Sequence, residues 1–342
     1  MSTKKIFGLL FLSLLMMNCK AIGQTKVDSI KVKTTTLITP PYLIPGDSIV
    51  ILAPAGILKN RQETIKKAKE LAESWGLKVR LGKHIFNKNG HFAGSDVERT
   101  SDFQAALNNP NIKAIWSGRG GYGSVRLLDN LDYTKFLENP KWVIGYSDIT
   151  AFHSHFHNLG IETMHAMMGT SVDDKPEEII ETLASFKKAI FGEQLKYNIA
   201  SSKYNRTGKV EGQIVGGNLA LLASMLGSNS QTNTKGKIIF IEEIGEYKYS
   251  IDRMLQSLKR AGYFENCAGV IIGDISKIKT NSTKWGSTIE ELVLDVIKEY
   301  NFPVLFDFPA GHEADNRALI LGRTIQLTVS SGSKQSKVVF RE

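Results

Sequence analysis

Cysteine is nearly missing: Cys19 and Cys267 are the only two among 342 residues. A disulfide framework and a cysteine-built metal site are therefore excluded. Cys267, close to the apolar Val270–Ile272 stretch, reads as a small buried hydrophobe. Dense Lys/Arg runs with interleaved aromatics are also lacking, so the formal charge of +9 does not point to nucleic acid. Internal repeats and low-complexity tracts are absent, and no apolar run is long enough to span a bilayer. What is present is an ordinary globular composition, 42% hydrophobic and 23% charged, long enough for one large core or two smaller ones.

The one extended apolar run lies at the start. Lys4 and Lys5 precede Ile6 to Met17, a basic region followed by a short apolar one. This pattern predicts an export signal over residues 1–23. Ala21-Ile22-Gly23 offers a cleavage site before Gln24. Alternatively Cys19 carries a lipid anchor, although Asn18 is not the small residue expected before a lipidated cysteine. Either ending places the chain in the periplasm or on the cell envelope. Loss of the three lysines of the signal from +9 leaves +6, a modest excess suited to an anionic wall or membrane surface. Residues 24–46, polar with Thr and Pro, read as a tether.

Strand and helix then alternate. Strands are expected at 48–52, 77–81, 112–116, 142–144 and 161–165, with helices around 65–75, 103–107, 125–131 and 148–158. Such alternation predicts an α/β fold: a mostly parallel sheet with helices on both faces, Rossmann- or flavodoxin-like, over 47–170. A linker region over 171–208, with a helix at 179–191, leads to a smaller, sheet-rich α/β domain at 209–342. Ligands on such sheets bind where strands run into helices.

Several segments occupy that position. Gly145-Tyr146-Ser147-Asp148 lies between an apolar strand and an apolar helix. A serine there is lifted to the sheet edge beside free helix N–H groups, which can stabilise an oxyanion. The same serine fits a plain helix N-cap equally well. The usual nucleophile turn has Gly two residues after Ser, and here that residue is Ile149. Gly118-x-Gly120-x-x-Gly123 formally matches a dinucleotide fingerprint. It follows a later strand, and the next acids, Asp129 and Asp132, fall in the following helix. An anion-binding backbone nest or a tight turn fits as well, and no cofactor is expected. His153, His155 and His157 lack the further acidic ligand of a metal site, so none is expected. His312 is a lone loop histidine. Glu242 and Glu243 end an apolar strand, where a carboxylate is costly unless paired or used.

Together these segments resemble the serine LD-carboxypeptidases, or muramoyltetrapeptide carboxypeptidases. The matching pieces, in order, are Val50–Gly56, Arg119–Ser124 with Arg126-Leu127-Leu128, Ile144–Thr150, Gly216–Leu219, Glu242-Glu243 with Ile251–Leu255, and Gly311-His312. The resemblance runs from about Asp47 to Val329, with Ala55 where the family usually has Ser. It implies a catalytic triad of Ser147, Glu242 and His312, split between the two halves. It also implies hydrolysis of the bond releasing terminal D-alanine from murein tetrapeptides, and a homodimer. The N–H of Asp148, with that of Gly120 or Gly121, would hold the oxyanion. Arg119 is a candidate for the substrate carboxylate, its plainer reading being a salt bridge to Asp129 or Asp132. Two alternatives stand beside this: a microcin C immunity-type hydrolase of an aminoacyl-nucleotide, which the export signal disfavours, and a wall-binding lipoprotein without catalysis, which has no use for all three residues.

Overall fold

The computed structural model describes residues 37–342. The export signal, Cys19 and most of the tether lie outside them. In chain order the elements are β1 (Ser48–Leu52), α1 (Gln62–Ser74), β2 (Lys78–Leu81), α2 (Asp96–Asn108), β3 (Ile112–Ser117), α3 (Thr134–Glu138), β4 (Trp142–Gly145), α4 (Thr150–Asn158) and β5 (Thr163–His165). There follow α5 (Ile180–Ile190), β6 (Lys196–Ile199), β7 (Gly208–Asn218), α6 (Leu219–Ser224), β8 (Ile238–Ile244), α7 (Lys248–Arg260), β9 (Gly269–Ser276) and α8 (Ile289–Val296). The chain finishes with β10 (Val304–Leu305), β11 (Leu319–Leu321), β12 (Thr324–Val329) and β13 (Ser336–Phe340).

Two sheets result. The first has the order β11-β5-β4-β3-β1-β2, parallel from β2 to β5. Its inner strands are buried on both faces, which is why Ile49–Leu52 and Trp142–Ile144 read as continuous apolar runs. Strand order reverses between β1 and β3, the place where such sheets open a crevice at their carboxyl ends. Gly56 N–H donates to Gly120 O (2.8 Å), joining the loops after these two strands. The second sheet has the order β10-β9-β8-β7-β12-β13-β6, parallel from β10 to β7 and antiparallel beyond.

Three expectations need correction. Residues 125–131 form two short 3-10 turns, Ser124–Arg126 and Leu128–Asn130, not a helix. The turns are pinned at their start, where Asp148 accepts from Ser124 N–H (2.8 Å) and the buried Arg99 donates to Gly123 O (3.0 Å). The 171–208 segment is not merely a linker, because its end forms β6, paired with β13. Its polar alternation, Lys196 and Asn198 outward with Tyr197 and Ile199 inward, suits an edge strand. Finally β11, from the chain's last quarter, closes the first sheet by pairing antiparallel with β5. One buried cluster is common to both sheets, including Trp116 and Met164 of the first and Ile214 and Phe240 of the second. Among the described residues no helix is long and apolar enough to cross a membrane.

Candidate active site

β4 carries the chain to Gly145 and Tyr146, and Ser147 then adopts φ +61° before a short 3-10 turn enters α4. A left-handed conformation is unfavourable for a residue with a Cβ, so the turn stores strain at this serine. The missing glycine after Ser147 also finds its explanation. A Cβ on Gly145 would come within 2.7 Å of Ile149 Cγ1. The space needed for the sharp turn is thus made two residues before the serine, and Ile149 fills it.

Glu242 comes from the end of β8 in the other sheet and is fully buried. His312 lies on the loop between β10 and β11. Its Nδ1 is 2.7 Å from Glu242 Oε2, and its Nε2 is 2.9 Å from Ser147 Oγ. A carboxylate only accepts, so Nδ1 carries the imidazole proton and Nε2 accepts from the serine hydroxyl. The Tyr146 ring meets the imidazole edge to face, with centroids 5.1 Å apart. The neighbouring Glu243 is used differently. It accepts from Asn218 Nδ2 (3.1 Å) and the N–H groups of Ala220 (2.8 Å) and Ile244 (2.8 Å), capping the start of α6. Burial pushes its carboxyl up.

The glycine loop lies against the serine. A Cβ on Gly120 would be 3.3 Å from Ser147 Cβ and 3.5 Å from Asp148 N, so glycine brings the loop close to the serine without crowding it. Gly121, at φ +101°, packs on Gly56. The Asp148 side chain is buried, and burial raises its pKa. Arg119 pairs with neither Asp129 nor Asp132: its Nη1 donates to Ile57 O (2.7 Å). Burial, then the charge of Arg61, lowers its pKa.

Two residues escaped the sequence reading. Asp274 sits where β9 carries one extra residue against β8, and its Oδ2 accepts from Glu313 N–H (3.1 Å), bracing the His312 loop. Its carboxyl is pushed up to about 6 by burial, then by Glu313 and Glu242. The signal was available, since Asp274 ends an apolar run just as Glu242 does. Arg61 had no such signal. It lines a cavity of about 200 Å³ together with Tyr146 and His312.

The three clustered histidines point to separate partners. His153 faces Thr163 Oγ1 (2.9 Å) and Gly145 O (2.9 Å), His155 faces Ser230 Oγ (2.9 Å), and His157 faces Lys237 Nζ (2.7 Å). Burial pushes His153 down to about 4. Between that value and about 6.5 the unfolded chain binds a proton that the folded chain refuses, so His153 costs stability as pH falls through this window. The cost reaches on the order of 3 kcal/mol once both pKa values are passed. We expect His153→Gln to flatten the fall of melting temperature between pH 7 and pH 4. An unchanged slope would show that His153 is not the group refusing the proton.

Models of the LD-carboxypeptidase N-terminal domain and the LD-carboxypeptidase C-terminal domain match residues 49–166 and 211–327. The chain belongs to the LD-carboxypeptidase family. It is thus a carboxypeptidase, a hydrolase of peptide bonds. A probable murein peptide carboxypeptidase of Bacillus subtilis (strain 168) is 34% identical over 83% of this chain and 89% of its own. The crystal structure of muramoyltetrapeptide carboxypeptidase from Oxalobacter formigenes superposes with a TM-score of 0.78 at 26% identity, covering 86% of this chain and 99% of that one. The microcin C7 self immunity protein MccF, in complex with aspartyl sulfamoyl adenosine, has a TM-score of 0.79 at 24% identity, covering 90% and 98%. That last likeness is one of fold.

Proposed function

We propose that this LD-carboxypeptidase is of the serine type and releases the terminal D-alanine of murein tetrapeptides, with Ser147 as nucleophile. The observation that carries the reading is the unbroken relay from Ser147 Oγ through His312 to Glu242, joined across two sheets. His312 takes the serine proton as Oγ attacks the carbonyl before the terminal residue. Glu242 holds the imidazole in its tautomer and stabilises the imidazolium. The N–H of Asp148, with that of Gly120 or Gly121, receives the oxyanion. His312 then returns the proton to the departing amine, and water repeats the attack on the acyl-serine. The relatives support the substrate class through their names as murein peptide and muramoyltetrapeptide carboxypeptidases. The strained serine and complete relay favour catalysis over wall binding alone.

Mass spectrometry of purified murein tetrapeptide after incubation with the enzyme tests this. Loss of one D-alanine is expected, with no effect of EDTA and negligible turnover of the epimer ending in L-alanine. Equal turnover of both epimers, or activity lost to EDTA and restored by metal, would overturn the reading.

A further inference from the structure

The cavity beside His312 has a fixed relation to this chemistry. A general acid that protonates a leaving amine must lie next to that amine. Gly120 and the β3 loop pack directly against Ser147, whereas Tyr146 and His312 form part of the cavity wall. The residue that departs on protonation by His312 therefore has this space open to it. The wall carries one cation, Arg61, with Asp174, Glu313 and Asn316 also lining it. Arg61 approaches Asp173 only to 3.8 Å, and its side chain is 43% exposed, leaving its donors available for a carboxylate. Asn316 is only 3% exposed. Its Oδ1 accepts from Gly311 N–H (3.1 Å) and faces His165 Nε2 (3.1 Å), while its Nδ2 has no partner among the described residues. That amide lies behind the wall and out of a ligand's reach, which leaves Arg61 as the donor for a carboxylate. Arg119, by contrast, does not line this cavity and already donates to Ile57 O.

We propose that this cavity is the subsite for the departing C-terminal residue, and that Arg61 holds its carboxylate. The assignment rests on the carboxypeptidase reading above. The ligand is a small amino acid with a free carboxylate. On cleavage its nitrogen becomes an ammonium, which meets Asp174 and Glu313, so the released zwitterion finds both signs of charge in one place.

The test compares wild type, Arg61→Ala and Arg61→Lys on a tetrapeptide ending in D-alanine and on its C-terminal amide. Wild type is expected to favour the free acid in kcat/KM by roughly tenfold to a hundredfold. Arg61→Ala should bring that ratio close to one, chiefly by raising KM for the acid, and Arg61→Lys should keep part of it. Free D-alanine should inhibit wild type competitively and Arg61→Ala far more weakly, with D-alaninamide inhibiting neither. An undiminished acid preference in Arg61→Ala, or an equal loss on acid and amide, overturns the assignment. A wild type that cleaves neither substrate sinks the proposed release of D-alanine from murein tetrapeptides instead. Calorimetric titration of D-alanine into wild type and Arg61→Ala then still judges the subsite: binding that depends on Arg61 supports it, and binding that does not, or none at all, rejects it.

Discussion

Ser147→Ala is expected to release D-alanine roughly 10⁴- to 10⁶-fold more slowly than wild type, with an unchanged melting temperature. The hydroxyl is the only group this substitution removes. It contributes one hydrogen bond, to His312, and no packing that a methyl cannot supply. The activity that survives would come from oxyanion donors and substrate binding alone. A second variant separates chemistry from strain. Position 147 sits at φ +61°, a conformation that costs a side-chain-bearing residue about 1–3 kcal/mol. Glycine relieves that cost but gives back about 0.5–1 kcal/mol of unfolded-state entropy. Ser147→Gly should therefore be as inactive as Ser147→Ala yet melt at a higher temperature. An alanine variant retaining a tenth of wild-type turnover would remove Ser147 from the mechanism.

Glu242→Gln should lower kcat about 10³- to 10⁴-fold with little change in KM, whereas Glu243→Gln should leave kcat nearly intact and lower stability. The two residues are adjacent and chemically identical, but their surroundings differ. Glu242 faces His312 with one oxygen, and its Oε1 has no partner among the described residues. A glutamine there either aims its amide hydrogens at the imidazole and forces the wrong tautomer, or keeps the bond and loses the charge that balances an imidazolium. Glu243 receives three donors, two of them backbone. An amide nitrogen in place of one of its oxygens confronts a buried N–H, a loss of about 1–3 kcal/mol. Steady-state kinetics and thermal melts on both variants decide the matter. A kcat collapse in Glu243→Gln with a healthy Glu242→Gln would reverse the two roles.

The inner parallel strands of the first half were legible because burial on both faces leaves apolar runs, with the turn glycines Gly56 and Gly118 following two of them, whereas the edge strand β2 is mostly exposed. Ser147 was visible as a turn serine, but pattern alone left it equal with an N-cap; the resemblance singled it out. Its strain was not legible, since φ at 147 depends on Ile149 packing over Gly145. The choice of Glu242 over Glu243 had the same source, because two carboxylates ending one strand look alike until their partners are known. Strands β6, β11 and β13 are three to five residues long, too short for alternation to stand out from a loop. The helix expected at 125–131 failed for a different reason. Its apolar spacing is real and buried, yet long-range ties from Arg99 and Asp148 impose tighter turns on the segment.

The short strand β11 bears on how substrate comes and goes. It pairs antiparallel with β5 at the rim of the sheet that carries Ser147, and it follows directly on the loop that carries His312. A clamshell motion that parted serine from histidine would have to peel β11 off β5 and open the core around Leu319 and Ile320. The fold is thus a riveted frame rather than a hinge: serine and histidine stay together, and access to them falls to the surface loops above.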